Sequence, residues 1–254
     1  MEFDPARSLR ILHNERLRRA AQGSEYRDIG GALVVTSPSP LPDMNCIESI
    51  HTTPRSLPSA LELGFALLRA FDCPPAVRVT PLDRPRGIEK TLRRRRLALA
   101  ETSVAMAFAG DEAAIRIDPT VRVRVATPDD ARVVRDVVAA GAEPWMRRMV
   151  LEATLACVVD PAHMFFIAYV GEEPAGTAHL LCDEGTAGIY AVATLKAQRG
   201  RGVNATIMAR AIAEARARSC DLIALRTPAG GPARAHFEHL GFEVAHEQQL
   251  WVGA

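Results

Sequence analysis

The chain has 254 residues, 48% hydrophobic and 24% charged, with 31 basic against 30 acidic side chains. This composition suits an ordinary globular protein with one large core or two small ones. A formal net charge of +1 argues against general attraction to nucleic acid or anionic lipid, and no stretch approaches the roughly 20 apolar residues of a membrane helix. Five scattered cysteines, Cys46, Cys73, Cys157, Cys182 and Cys220, fit neither a disulfide framework nor a metal-ligand spacing, so reduced thiols and no metal are expected. The stretch Met1 to Arg7 lacks the basic start and apolar run of a secretory signal, which points to the cytoplasm.

In chain order, residues 1–118 end in the turn-rich passage Gly110-Asp111-Glu112 and Asp118-Pro119, after which Val121-Arg122-Val123-Arg124-Val125 alternates as a strand with one buried face does. A boundary is therefore expected near 119, with one domain over 1–118 and a second over 119–254. Thr127-Pro128-Asp129-Asp130 supplies a cap, a proline for the first helical turn and early acids, predicting a helix to about Ala140. A second helix is expected from Glu143 to Val158. Three apolar runs follow, Met164–Val170, Ala175–Cys182 and Gly188–Leu195, and the breaks at Gly171–Pro174 and Asp183–Gly185 make them an antiparallel meander. A helix (Gly202–Arg218), a strand (Leu222–Thr227), a short helix (Pro232–Leu240) and a last strand (Phe242–Val252) complete an α/β (α+β) pattern.

The first half repeats part of this plan. Residues 44–73, with a helix from Pro58 to Phe71, superimpose without a gap on residues 188–217 at a shift of 144, bringing Arg55 onto Arg199; Val77–Pro81 with Pro85 superimpose on Ala224–Pro228 with Pro232 at a shift of 147. The near-constant shift predicts two related domains in tandem.

The chemistry is expected at the loop Arg199-Gly200-Arg201-Gly202-Val203-Asn204, between an aliphatic strand and a long Ala-rich helix. A helix N-terminus presents unpaired amides and a partial positive charge; glycines let the chain wrap a phosphate there, and arginines add charge. Turning the chain between strand and helix would use the same glycines. The loop fits neither the Walker pattern nor Gly-x-Gly-x-x-Gly.

This loop resembles the pyrophosphate loop, Gln/Arg-x-x-Gly-x-Gly/Ala, of the GCN5-related N-acetyltransferase (GNAT) superfamily. The resemblance extends over about residues 121–254 through the preceding strand, the long helix, the later strand-helix unit and Leu240-Gly241-Phe242 opening the last strand. It implies two tandem GNAT-like domains, each a mixed, mostly antiparallel sheet flanked by helices, and acetyl-CoA as cosubstrate. The strand Val192-Ala193-Thr194 would bind the pantetheine arm, and Arg199, Gly200, Arg201, Gly202, Val203 and Asn204 would hold the pyrophosphate. The partner implied is a small-molecule or peptide amine acceptor, with a homodimer left open.

Two departures stand out. Asn204 replaces the small last residue of the loop, where it would crowd the phosphate or cap the helix. Phe237 occupies the position, four before Gly241, where many family members carry a tyrosine that protonates the departing thiolate. Transfer still needs a neutral amine, since an ordinary lysine-type amine has a pKa of about 10.4, whereas a thiol pKa of about 8.5 makes the thiolate a tolerable leaving group. The candidates for proton transfer are Glu184 in the turn before the pre-loop strand, Tyr190 on that strand, and His236 beside Phe237; each also has a plain structural reading as solvated turn, core tyrosine or half-exposed helix residue.

In the first half the loop becomes Thr53-Pro54-Arg55-Ser56-Leu57-Pro58, with Pro58 for Gly202 and Ser56 for Gly200, so an amide donor is lost and no cofactor is expected there. The first half then reads as a degenerate N-terminal domain. Arg93 to Arg96 invite a nucleic-acid reading, but the basic-minus-acidic balance is 17 − 15 = +2 for residues 1–120 and 14 − 15 = −1 for the rest, too little for a basic field. A solvated helix end is expected. Two functions follow: a CoA-dependent N-acetyltransferase with one active site, or a non-catalytic acyl-CoA-binding or sensing protein.

Overall fold

A computed structural model describes residues 3–253; Met1 and Glu2 of the N-terminal stretch, and Ala254, lie outside the described residues. Helix α1 (Pro5–Ala21) starts as the Asp4-Pro5 pair dictates, with the Asp4 carboxylate accepting from the amides of Ala6 and Arg7 and proline in the first turn. Strands β1 (Glu25–Asp28), β2 (Leu33–Thr36) and β3 (Cys46–Glu48) follow, then α2 (Leu57–Ala70), β4 (Ala76–Val79), α3 (Ile88–Arg94) and β5 (Ala98–Phe108). The second half holds β6 (Val121–Val125), α4 (Ala131–Val138), α5 (Pro144–Cys157), β7 (His163–Val170), β8 (Glu173–Asp183), β9 (Thr186–Thr194), α6 (Val203–Ala217), β10 (Leu222–Pro228), α7 (Pro232–His239) and β11 (Phe242–Val252). The expected elements of this half are present, the Thr127–Asp130 capping box closing a single 3-10 turn ahead of α4. Arg93 and Arg94 sit in the last turn of α3, exposed, as a solvated helix end.

All strands join one sheet in the order β1-β2-β3-β4-β11-β5-β10-β9-β8-β7-β6. The last strands of the two halves are exchanged: β5 lies between β10 and β11, and β11 between β4 and β5, all antiparallel. Residues 98 and 108, the ends of β5, lie 144 positions before 242 and 252, the ends of β11. The pairing of Phe242 with Phe108 and of Val252 with Ala98 is therefore that of two equivalent strands about a pseudo-twofold axis. This is the tandem relationship that the repeat at shift 144 predicts, and it adds a contact that the repeat does not: each half completes the other's sheet.

The main core lies between the sheet and α6, with Phe166, Leu180, Ile189, Ile207, Met208, Ile223 and Phe242 at 2% exposure or less. On the opposite face, α1 rests on β9 and β8. Asn14 donates to the carbonyls of Leu181 and Thr186 at 3.3 Å, and Arg10 pairs with Asp221. A first-half helix thus covers a second-half strand.

Beside it, His163 and His179 are buried, with Nδ1 of the first 2.8 Å from Nε2 of the second and Phe165 stacked on His179 at 4.2 Å. Burial lowers both pKa values, and for His179 the neighbouring His163 lowers it further. The folded state binds fewer protons than the unfolded chain, so this pair's stabilisation is complete above the ordinary histidine pKa of about 6.5 and is lost as pH falls below it. Urea unfolding at pH 7.5 and 5.5 is expected to give lower stability in acid, by up to about 1.4 kcal/mol per pH unit per histidine. A slope unchanged in His179→Gln would assign the effect elsewhere.

Candidate active site

The parallel pairing of β9 with β10 ends at Ile189 and Leu225, and beyond it the strands part. A two-against-one bulge assists: Ala191 and Val192 of β9 face the single residue Ala178 of β8, with Ala191 at φ +47°. Into the opening between the strands runs a cleft of about 1320 Å³. It is lined by Ile189 to Lys196, by Gln198, Arg199, Gly200, Gly202, Val203 and Asn204, by Leu225 to Pro228, by Pro232, Ala233, His236 and Phe237, and on the opposite side by Glu15, Arg18, Val137, Val138 and Ala140. The predicted strand and loop thus meet at one cavity.

The loop is shaped for an anion. Gly200 and Gly202 lie at φ +76° and +68°, a conformation that favours glycine, and a side chain at Gly200 would meet nothing within 4 Å. Gly202 is the N-cap of α6, so the helix opens without a side-chain cap and its first amides have no intrahelical acceptor. Arg199 and Arg201 are exposed, and Arg201 reaches back to Gln198 at 2.8 Å. Thr194 contributes a buried hydroxyl with no partner. Backbone donors, an open helix start and the edge of β9 left free by β10 fit a phosphate-bearing extended ligand.

Asn204 does not cap the helix: its amide oxygen lies 2.8 Å from His236 Nε2 and ties α6 to α7. Burial, with His239, lowers the His236 pKa. Tyr190 also lines the cleft, but its hydroxyl donates to Asn14 Oδ1 at 2.7 Å, and burial pushes its pKa well up. Phe237 is 8% exposed and packs its ring 6.1 Å from that of Phe242. Glu184 is not brought to the site: it stands in the turn at the opposite end of β9 from the loop, exposed, beside His13 and Asp183, because the strand's full length separates its two ends. Expecting it as a base in the cleft is corrected by that geometry.

The structure adds residues that motif reading misses. Glu15 and Arg18 enter the cleft from α1, and Arg226 on β10 reaches Asp43 through two hydrogen bonds of 2.9 and 2.7 Å. The Asp4-Pro5 pair signals that α1 begins; nothing local signals that it crosses to β9.

The corresponding gap in the first half is bridged. Residues 83 and 84 lie beside the end of β3, the Arg84 amide donating to Ile50 O at 2.7 Å, the Thr52 amide to Arg84 O at 3.2 Å and the Ile50 amide to Asp83 Oδ1 at 2.6 Å. Main chain occupies the space that in the second half is cleft.

Residues 131–242 match the family described as Acetyltransferase (GNAT) family. The fold of nearly the whole chain recurs in a GCN5-related N-acetyltransferase from Kribbella flavida, at 16% identity and a TM-score of 0.75, covering 96% of this chain and 95% of that one. The family match is confined to residues 131–242, and the likeness over the whole chain is one of fold. Other GNAT folds agree: a GCN5-related N-acetyltransferase from Sphaerobacter thermophilus matches at 17% identity and TM-score 0.67 over 93% of this chain and 84% of that one. A tandem GNAT protein from the clavulanic acid biosynthesis pathway matches at 12% identity and TM-score 0.63 over 89% and 80%. No curated protein matches the sequence significantly. Among the described residues, no helix is long and apolar enough to cross a membrane.

Proposed function

We propose that the protein transfers an acetyl group from acetyl-CoA to an amine, at one site between β9 and β10. The observation that carries this reading is the splay of these strands onto an open, glycine-bent loop at the start of α6. Arg199 to Asn204 would hold the pyrophosphate, and the free edge of Val192 to Thr194 the pantetheine arm; when bound, acetyl-CoA supplies an activated thioester. The chain's contribution is to position the amine, exclude water and accept its proton. Residues 1–118 are read as a degenerate domain and 119–254 as the CoA-binding one, since Arg84 and its neighbours bridge the first half's gap. The cytoplasm is the proposed location, from an odd number of scattered cysteines.

The test is release of free thiol from acetyl-CoA with a panel of amines. Amine-dependent release is expected. Phe237, buried where an acid often stands, favours a second reading as a non-catalytic acyl-CoA sensor, and CoA binding without amine-dependent release at any pH would establish that reading instead.

A further inference from the structure

The wall of the cleft formed by α1 carries chemistry that CoA binding leaves unused. Glu15 and Arg18 both line the cleft, three positions apart, which puts them on one face of the helix with Cβ atoms about 5–6 Å apart. α6 meets the face of β9 that carries Ile189, while α1 meets the face that carries Tyr190, so this pair lies across β9 from the phosphate-binding helix.

Glu15 is 4% exposed, yet neither of its carboxylate oxygens accepts a hydrogen bond from a described residue. Its nearest cations, Arg78 Nη1 at 3.9 Å and Arg226 Nε at 4.0 Å, stand at the outer limit of an ion pair, and both guanidiniums are hydrogen-bonded to Asp43 instead. Glu15 also lines the cleft, so a cationic donor arriving there could approach it more closely than either guanidinium does. Arg18 is the converse. One nitrogen donates to Gln22 at 2.7 Å and the guanidinium lies 4.7 Å over the Tyr190 ring, but Nε has no partner, and among the described residues no carboxylate pairs with it. Burial depresses its pKa, a cost that an incoming anion would offset. Val137, Val138 and Ala140 supply an apolar surface opposite.

We propose that the acceptor is an amine that also bears a carboxylate, an amino-acid-like zwitterion, with its amino group at Glu15 and its carboxylate on Arg18. The proposal rests on the transferase reading. Glu15 takes one proton from the ammonium; the neutral nitrogen attacks the thioester carbonyl, the C–N bond forms and the C–S bond breaks. The second nitrogen-bound proton goes to the leaving sulfur, and Glu15 returns its proton to solvent, giving an amide, free CoA thiol and one released proton.

The test uses a set of α-amino acids, each with its amide and its decarboxylated amine, and follows thiol release. The amino acid is expected to have the lower KM. Arg18→Met should raise that KM about 10- to 100-fold, the scale of one charge-assisted hydrogen-bonded contact, and erase the preference, while Arg18→Lys keeps most of it. Glu15→Gln should lower kcat for the amino acid. Equal or better turnover of the amides and decarboxylated amines, or an Arg18→Met effect identical for all three classes, overturns the proposal. If no amine releases thiol, the transferase reading is what fails, and calorimetry on CoA-loaded protein decides the rest: amino-acid binding lost in Arg18→Met supports the carboxylate site, and equal or absent binding overturns it.

Discussion

Gly202→Ala is expected to weaken CoA binding by more than about 30-fold, and Gly200→Ala by only about 5- to 30-fold. Both glycines hold positive φ, so any side chain incurs a left-handed penalty of about 1–2 kcal/mol. At Gly200 that is the whole cost, because its Cβ would meet nothing within 4 Å. At Gly202 the added Cβ would stand 2.8 Å from Asp118 Cβ. Asp118 cannot readily yield: its amide donates to Thr206 Oγ1 at 3.0 Å, and its carboxylate accepts from the Thr120 amide at 2.9 Å and hydroxyl at 2.6 Å. The loop relieves both strains by leaving the bent conformation, which turns its amides from the phosphate, so the strain is read directly as lost affinity. Calorimetric titration with CoA measures it; equal affinities for the two variants would mean that Asp118 moves freely and that the contact is unimportant.

Much of this loop and its surroundings was legible because the signals are local. Gly185 between two apolar runs marks the β8–β9 turn, Thr127-Pro128 marks the approach to α4, and β11 begins and ends where Phe242–Val252 was read. The repeat at shift 144 located β3 and α2 without any tertiary information. What stayed hidden depends on contacts between residues far apart in the chain. Nothing in Ala98–Phe108 says that it pairs with β10 and β11, since exchange of equivalent strands is decided by the packing of both halves. Gly188 shows the same limit: a side chain there would collide with Asn14 and Tyr190, a requirement imposed by a helix more than 160 residues earlier. Glu184 was misread for a related reason, because proximity in sequence to the start of β9 is distance in space from its other end. Glu15 and Arg18 belong to no motif. Only the docking of α1 gives them a cleft.

That docking rests on a buried ionic network, and Glu48→Ala is expected to cost about 3–5 kcal/mol of stability, the usual range for breaking a buried ion pair from one side. Glu48, 4% exposed, receives Arg19 Nη2 at 2.6 Å and Arg78 Nη1 at 3.3 Å, both 2% exposed, and Arg16 Nε at 3.2 Å. Without the carboxylate, Arg78 retains Asp43, but Arg19, whose Nε and Nη1 already have no partner, becomes an unpaired buried cation. Burial alone would raise the Glu48 pKa; Arg19 and Arg78 outweigh it and hold the carboxyl below its ordinary value. The stabilisation is therefore present above the unfolded pKa of about 4.3 and is lost as pH falls from there through the lower folded pKa, below the window in which the histidine pair acts. Against a total stability of about 5–15 kcal/mol, such a loss lowers the urea midpoint at pH 7 sharply. Arg16→Ala, removing a partner with a 28% exposed side chain, should cost about 1 kcal/mol or less. Because Glu48 on β3 anchors α1 through Arg16 and Arg19, its loss should also raise KM for the proposed acceptor more than for acetyl-CoA, whose proposed loop opens α6 across the sheet. A Glu48→Ala protein of wild-type stability would show that the helix is held by Asn14 and Arg10 alone.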